Sequence, residues 1–456
     1  MKVIVAIANH GTRHASYVQR LIDEYRSMPY EVAIVILSNI PKDFGHDVEV
    51  KVGLPEKNPR SLPFGHKQLF ADRKDDYDLF IYSEDDTLIT QRNIEAFLET
   101  QADLPVDHIA GFLRYEEDSH GNRFCSSMHS HFHWRPGSLR KYRRHYYAYF
   151  TNMHSACFIL TKEQLKRCIA SGEFLVRPHE GRYALLESAA TDPYTQCGLK
   201  KVICISRIDD FLLHHLPNDY LGHLGLPFDE MRIQIKRMLE LGETYSSDVF
   251  IPEHTGLDIW RWEKCYYDHA DKGLIEILPD KAHMILSIGC GRGQTEYLMA
   301  ESGRTVEVIP LDDYISTLAE KRGLICLSAS WKALFDMPKE KKYDLIYLSD
   351  ILCYIQDPIS VLQACKQHLR PNGQLLLSFH NFDSIKNIRY KKLKSDSVNL
   401  NFCTSKMVRR WIEVSGFKVS RIYAPVIKKV AVFDRISLGL FRNRLSAKIA
   451  ILASLI

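Results

Sequence analysis

The chain has 456 residues, and its 60 basic and 56 acidic residues give a net charge of +4. This near balance argues against a nucleic-acid partner, because proteins that bind nucleic acids carry clustered positive charge. Apolar residues make up 45% of the chain and charged residues 25%, which is ordinary for a globular protein with a full core. The length predicts two domains, with three as the alternative.

The cysteines and the N-terminal sequence indicate the cellular compartment of the protein. The eleven cysteines are scattered and never spaced as CxxC, which favours reduced thiols over a disulfide framework or a zinc site. The opening MKVIVAIANHG has an apolar run too short for a signal peptide core, and no run reaches the ~20 residues of a membrane span. We therefore expect a cytoplasmic protein.

Strand-like and helix-like patterns alternate in the N-terminal half, which favours an α/β sheet with parallel strands. The predicted strands cover residues 3–9, 32–39, 47–54 and 77–83. The predicted helices cover residues 15–26 and 61–73.

A long helical pattern at 231–243 precedes a less regular stretch, where we place a domain boundary. A second α/β series follows, with strands at 284–289, 306–311, 323–328, 343–350 and 374–379 and a helix at 359–369. The predicted domains are 1–245 and 255–425, followed by an apolar and basic tail at 426–456.

Three adjacent carboxylates, Glu84, Asp85 and Asp86, end the strand YDLFIYS. Ligands of open α/β sheets lie beyond the carboxyl ends of strands, and Mg²⁺ or Mn²⁺ prefers oxygen ligands that it shares with substrate phosphates. A solvated acidic turn is the alternative interpretation. The segment resembles the Glu-Asp-Asp metal motif of GT-A type glycosyltransferases.

That resemblance implies a nucleotide-sugar donor, with Asp86 on the metal and Glu84 and Asp85 on metal-bound water or the sugar. It also implies a metal-binding histidine from a later strand end, for which His214 and His215 are the alternatives. The loop after the first strand would touch the nucleotide, through the four candidates Asn9, Gly11, Thr12 and Arg13. An inverting transferase would need a carboxylate base, and the candidates are Glu187 and Asp192.

A glycine loop, IGCGRGQTEY, lies between a predicted strand and a predicted helix. Glycines let the backbone turn tightly and approach a ligand closely, although a structural strand-to-helix turn is the alternative. With the strands around Asp350 and residues 374–379, the loop resembles motif I of class I methyltransferases that use S-adenosylmethionine. The resemblance implies a seven-stranded sheet and the cofactor-binding residues Ser287, Gly289, Gly291, Gly293, Asp312 and Asp350.

The cofactor site departs from the family pattern in its acids. Ser287 stands where motif I usually begins with an acid, and Pro310 ends the second strand, with Asp312 two residues later. From a site with so few acids we expect weak binding of the cofactor, different contacts to it, or a domain without activity. His380, at the end of the fifth strand, is the candidate base for methyl transfer to a glycan or small-molecule acceptor.

The tail contains Arg435, Arg442, Arg444 and Lys448, but these do not share one face of a helical wheel. Docking on the protein or on a partner is therefore favoured, with peripheral contact to the inner face of a membrane as the alternative.

These patterns predict two Rossmann-like α/β domains in a bifunctional transferase that builds and methylates a glycan or a glycosylated small molecule. The alternatives are a methyltransferase with a non-catalytic N-terminal binding domain, a non-catalytic scaffold and an RNA methyltransferase, which the near-neutral charge disfavours.

Overall fold

A computed structural model describes residues 1–126, 131–222, 225–245, 265–328, 330, 332–387, 401–425 and 442–456. The chain forms two compact units, Met1–Arg232 and Ile233–Ile456. The stretch 246–254, where we predicted the domain boundary, lies outside the described residues. Among the described helices, none combines the length and the apolar character that a membrane span requires.

Unit 1 is an α/β domain with fourteen strands within the described residues. They are β1 (Lys2–Asn9), β2 (Glu31–Ser38), β3 (Val48–Val52), β4 (Leu79–Glu84), β5 (Thr87–Leu88), β6 (His108–Ala110), β7 (Leu113–Glu117), β8 (Arg123–Ser126), β9 (Arg140–Tyr142), β10 (His145–Ala148), β11 (Cys157–Thr161), β12 (Lys200–Cys204), β13 (Leu212–His215) and β14 (Gly225–Pro227).

The central sheet of unit 1 has the order β11-β4-β1-β2-β3. Strands β1 to β4 run parallel, as the alternating pattern predicts, and β11 pairs antiparallel with β4 at the edge. A four-stranded sheet has the order β6-β12-β10-β9, and a second five-stranded sheet has the order β14-β8-β7-β13-β5. Because β1 and β4 are parallel neighbours, their carboxyl ends lie at one edge of the sheet.

The helices of unit 1 bury apolar stripes at helical spacing. They are α1 (Ala15–Ser27), α2 (Gly65–Asp72), α3 (Gln91–Gln101), α4 (Lys162–Ala170), α5 (Leu185–Thr195) and α6 (Phe228–Leu241), which continues into unit 2. In α1 the stripe is Val18, Leu21, Ile22 and Tyr25, a spacing that places all four side chains on one face.

Unit 2 contains a seven-stranded sheet of the order β17-β16-β15-β18-β19-β21-β20, which confirms the predicted number of strands. Its strands are β15 (Met284–Cys290), β16 (Thr305–Pro310), β17 (Ile325–Cys326), β18 (Tyr343–Ser349), β19 (Leu369–His380), β20 (Phe417–Tyr423) and β21 (Lys448–Leu455). Its helices are α7 (Lys272–Ile275), α8 (Gln294–Glu301), α9 (Asp313–Lys321), α10 (Ala333–Asp336), α11 (Pro358–Gln367), α12 (Ser405–Val414) and α13 (Arg442–Leu445).

The tail prediction is wrong for its last residues. Strand β21 lies inside the sheet and pairs antiparallel with both β19 and β20. Its residues 449–453 are buried, which explains the apolar composition of the tail without a docking helix or a membrane. Residues 426–441 lie outside the described residues.

Candidate functional site

The acidic cluster of unit 1 lies where β1 and β4 end. Asn9 Nδ2 donates a hydrogen bond of 2.6 Å to Asp85 Oδ2, and His14 Nδ1 lies 2.9 Å from Asp85 Oδ1. Ligand atoms of His14, Asp85 and Asp86 lie within 4.8 Å of one another, a grouping that can hold a metal ion. Our sequence analysis missed His14, although it belongs to the same ANHGTRH loop as the predicted nucleotide contacts.

The two alternative histidines lie on opposite faces of β13, as neighbours in a strand do. His215 Nε2 lies 3.5 Å from Asp86 Oδ2, and its Nδ1 lies 2.6 Å from Glu116 Oε1. His214 instead stacks on Tyr115 with ring centroids 5.1 Å apart. Of the two candidates, His215 is therefore the one beside the acids.

Burial and mutual repulsion control the charges of this cluster. Burial, followed by repulsion from Asp86, raises the pKa of Glu84 to about 7. Burial opposes the charge of Asp86, but the hydrogen bond from His215 and the positive charges of His215, Arg114 and His14 together lower the pKa of Asp86. Burial likewise opposes the charge of His215, but hydrogen bonds to Asp86 and Glu116 raise its pKa to about 9. A cation at this edge would relieve the repulsion among the carboxylates.

The loop after β1 presents polar groups to the same edge. Asn9 is fully buried and accepts a 2.8 Å hydrogen bond from Lys42 Nζ through its carbonyl. Gly11 has φ +65°, and its amide donates to Asn39 Oδ1 at 2.7 Å. The predicted contacts Thr12 and Arg13 are exposed. Lys42, which the sequence analysis missed, adds a positive charge beside the acids.

The two candidate bases have different surroundings. Glu187 Oε2 is buried without a hydrogen-bond partner among the described residues. Glu187 also acts electrostatically on His154, whose Nε2 lies 3.3 Å from Glu84 Oε1. Glu187 therefore acts electrostatically on a histidine that contacts the acidic cluster.

Asp192 does not fit the role of base. It is fully buried within α5, where it forms an ion pair with Lys67. Its Oδ2 also lies 3.2 Å from His179 Nε2. A base must reach the acceptor hydroxyl, whereas the carboxylate of Asp192 is engaged in an ion pair beneath the surface. The structure therefore gives Asp192 a packing role.

The glycine loop of unit 2 connects β15 to α8. Gly293 has φ +76° at the N-cap of α8, a conformation that favours glycine. A Cβ at Gly291 would lie 2.2 Å from the carbonyl oxygen of Tyr266, so only glycine allows this close approach. Gly289 also has a positive φ, of +85°, at the end of β15.

A cavity of about 330 Å³ opens beside this loop. Gly291 and Gly293 line it together with four acidic and three basic residues, which are Asp268, Asp271, Glu296, Asp350, Lys272, Arg292 and Lys448. The cavity therefore combines the glycine loop with four acidic and three basic residues, of which Lys448 belongs to β21.

The acid missing from motif I comes from the neighbouring helix. Ser287 Oγ donates a 2.8 Å hydrogen bond to Glu296 Oε1, and Glu296 lines the cavity from the first turn of α8. Asp271, the N-cap of α7, supplies a further carboxylate. The cavity is therefore not poor in acids, because Glu296 comes from α8 and Asp268 and Asp271 come from the segment before α7.

Asp312 has a structural role at the start of α9. Its Oδ1 accepts hydrogen bonds from the amides of Tyr314 and Ile315 at 2.8 and 2.9 Å, and the residue is fully buried. Burial raises the pKa of Asp312 to about 6. It does not line the cavity described above, so ribose binding by Asp312 stays a prediction.

Asp350 and Lys448 form an ion pair at the cavity wall, with Lys448 Nζ 2.7 Å from Asp350 Oδ2. Burial opposes the charge of Lys448, but attraction to Asp350 raises its pKa well above the usual value. Lys448 is also the register partner of His380 across β19 and β21, which puts both side chains on one face of the sheet. His380 therefore lies on the same face of the sheet as Lys448, whose side chain lines the cavity.

The charges of the cavity fit the amino-acid end of S-adenosylmethionine. An ammonium group matches the carboxylates of Asp271 and Asp350, and a carboxylate matches Lys448. Backbone amides of the glycine loop add donors where a ligand can approach closely.

Comparison with known proteins adds independent support. The family model described as "Methyltransferase domain" matches residues 260–422. The chain is 30% identical over 104 residues to a ubiquinone biosynthesis O-methyltransferase of Actinobacillus pleuropneumoniae, covering 21% of this chain and 44% of that protein. It is 34% identical over 126 residues to a tRNA 5-carboxymethoxyuridine methyltransferase of Escherichia coli, covering 25% of this chain and 46% of that protein.

A solved S-adenosylmethionine-dependent methyltransferase from Mesorhizobium loti is similar with a TM-score of 0.32 and 18% identity, over 40% of this chain and 95% of that chain. The chain spans less than half the length of the two curated relatives above. Residues 260–422 are a class I S-adenosylmethionine-dependent methyltransferase domain.

Proposed function

We propose that the protein transfers a methyl group from S-adenosylmethionine to a glycan or a glycosylated small molecule. The observation that supports this most is the cavity beside the glycine loop, where Asp271, Asp350 and Lys448 combine charges suited to the cofactor. When bound, the cofactor supplies an electrophilic methyl group, so that orientation of the acceptor does most of the catalytic work.

In this proposal different residues of unit 2 bind the cofactor and remove the proton of the acceptor. Asp271 and Asp350 hold the ammonium group, Lys448 holds the carboxylate, and the glycine loop donates backbone hydrogen bonds. His380 removes the proton from an acceptor hydroxyl at the end of β19. Asn381, the next residue, connects the end of β19 to the segment before β21, because its Nδ2 donates to the carbonyls of Asn443 and Ser446 at 2.6 and 3.1 Å.

Methyl transfer can be tested with the full chain and S-adenosylmethionine labelled in its methyl group, against a panel of sugar and glycoside acceptors. We expect His380→Ala to lower the single-turnover rate about 100-fold, in the usual range for loss of a general base. His283→Ala, which changes an exposed histidine, is the matched control. Full single-turnover transfer by His380→Ala would refute the role of this base.

The second candidate function belongs to unit 1. We propose that His14, Asp85 and Asp86 bind Mg²⁺ or Mn²⁺ and that the metal holds the diphosphate of a nucleotide sugar. Glu187 would act as the base of glycosyl transfer. The alternative is a methyltransferase whose unit 1 binds a substrate without chemistry of its own, and the similarity to known methyltransferases supports this alternative better.

A further inference from the structure

A second cleft of unit 2 begins where β19 ends. It has a volume of about 900 Å³, and Asn381, the residue after β19, forms part of its wall. Four cationic side chains line it, and they are Lys406, Arg409, Arg410 and Arg444. Only two acids, Asp383 and Glu413, belong to the same lining. Positive charge therefore exceeds negative charge around the cleft.

The four cations have no ion pair within the described part of the chain. Exposed Arg410 and Arg444 face water, whereas Arg409 is half-buried and its Nε atom is buried without a hydrogen-bond partner among the described residues. An Arg Nε–H that is neither solvated nor paired costs free energy, so a ligand with acceptor oxygens would stabilise it.

Ser405 is an independent indication of a ligand. It is 8% exposed, it lines the cleft, and its Oγ has no hydrogen-bond partner among the described residues. Ser405 is the first residue of α12 and lies one turn before Arg409, so both side chains are on one helix face. The amides of the first helical turn and the helix dipole favour an anion at this end.

The location connects the cleft with the cofactor cavity. Strands β18 and β19 are parallel neighbours, and their carboxyl ends lie at one edge of the sheet. Ser349, at the end of β18, lines the cofactor cavity, and Asn381 lines the basic cleft. A ligand in the cleft would therefore lie at the edge of the sheet where methyl transfer is proposed.

We propose that the cleft binds a phosphate or diphosphate group of the methyl acceptor. Three guanidinium groups, one ammonium group, a serine hydroxyl and a helix N-terminus suit a tetrahedral oxyanion that accepts several hydrogen bonds. This inference rests on the proposed methyltransferase function, and it specifies the acceptor as a phosphorylated sugar or a glycosyl phosphate.

Calorimetric titration of inorganic pyrophosphate into the full chain tests the inference. We expect Arg410→Gln/Arg444→Gln, which changes two exposed residues, to weaken pyrophosphate binding about tenfold or more. We expect Ser405→Ala to weaken it as well, while both variants bind S-adenosylhomocysteine as the unchanged protein does. Arg421→Gln, an exposed arginine of β20 outside the cleft, is the matched control.

Equal pyrophosphate affinity in all variants, with S-adenosylhomocysteine bound, would overturn the phosphate site and leave the methyltransferase proposal intact. Pyrophosphate binding without any S-adenosylhomocysteine binding would overturn the acceptor assignment and the proposed function together. Tighter binding of a single-stranded RNA oligonucleotide, with a steep salt dependence, would contradict a small phosphorylated acceptor.

Discussion

Asp350 combines an unusual backbone with a central position in the cofactor cavity. Its φ of +56° is in the left-handed region, which aspartate and asparagine tolerate better than most residues. The carboxylate is 5% exposed and pairs with Lys448. Because asparagine also tolerates this backbone conformation, the charge of the side chain can be removed without straining the backbone.

We expect Asp350→Asn to keep the fold of unit 2 and to weaken S-adenosylhomocysteine binding about 10- to 100-fold, because a charge-assisted hydrogen bond is lost. Isothermal titration calorimetry measures the change. Asp336→Asn, which changes an exposed aspartate at the end of α10 that does not line the cavity, should bind as the unchanged protein does. Equal affinities for Asp350→Asn and the unchanged protein would remove Asp350 from the site.

Asp192 lies in a buried ion pair with Lys67, and removal of one partner leaves the other charge uncompensated. We expect Asp192→Asn to lower the free energy of unfolding by about 3–5 kcal/mol, measured by chemical denaturation. Glu49→Gln, in the more exposed pair with Arg73, should lose less than about 1 kcal/mol. Full stability of Asp192→Asn would contradict the packing role.

Some residue roles could be predicted from the sequence and others could not. The placement of Asp86 and Gly293 follows from local patterns, a strand that ends in acids and a strand-to-helix glycine turn. The choice between His214 and His215 depends on the strand face that meets Asp86, which requires the pairing of β13 with β5. The bond from Ser287 to Glu296 was not predictable from motif spacing, because the acid lies nine residues later on a helix.

At the scale of elements, β21 is the feature that pattern reasoning missed. Its residues KIAILASL are mostly apolar and include alanine and leucine, which are also frequent in helices, so composition alone did not distinguish strand from helix. Strand β21 lies between β19 and β20 in the sheet. Its position therefore depends on strand pairing, which the local sequence does not indicate. The same strand supplies Lys448 to the cofactor cavity.

We expect Ile451→Ala, at a fully buried position of β21, to lower the free energy of unfolding by about 2–5 kcal/mol, because a cavity forms in the core. Ile456→Ala, five residues later and 84% exposed, is the control and should have no effect. Chemical denaturation of the full chain provides both values. Identical unfolding midpoints for the two variants would contradict the placement of β21 in the sheet.

At the scale of the whole molecule, the chain combines two α/β units with different candidate chemistry. Unit 1 has a group of residues that could hold a metal ion at the edge of its central sheet, whereas unit 2 contains the methyltransferase domain. Alternating strands and helices on both sides of a long helical pattern predicted two α/β domains, 1–245 and 255–425, and the structure divides the chain at Arg232.

The proposed donor site can be tested with UDP-, GDP-, CMP- and dTDP-sugars in the presence of Mn²⁺. A donor at a hundred times its dissociation constant should stabilise unit 1 by about 2.7 kcal/mol, and the shift should require the metal. We expect Asp86→Asn to abolish it and His215→Gln to weaken it, while His214→Gln, on the opposite strand face, leaves it unchanged. A shift that persists in Asp86→Asn would contradict metal binding at this edge.

The most direct test of the central claim is calorimetric titration of S-adenosylhomocysteine into the full chain. The account predicts saturable binding at one site, which Asp350→Asn weakens and Asp336→Asn does not. An absence of binding heat across several temperatures, in a folded protein, would contradict a methyltransferase and favour a scaffold without cofactor.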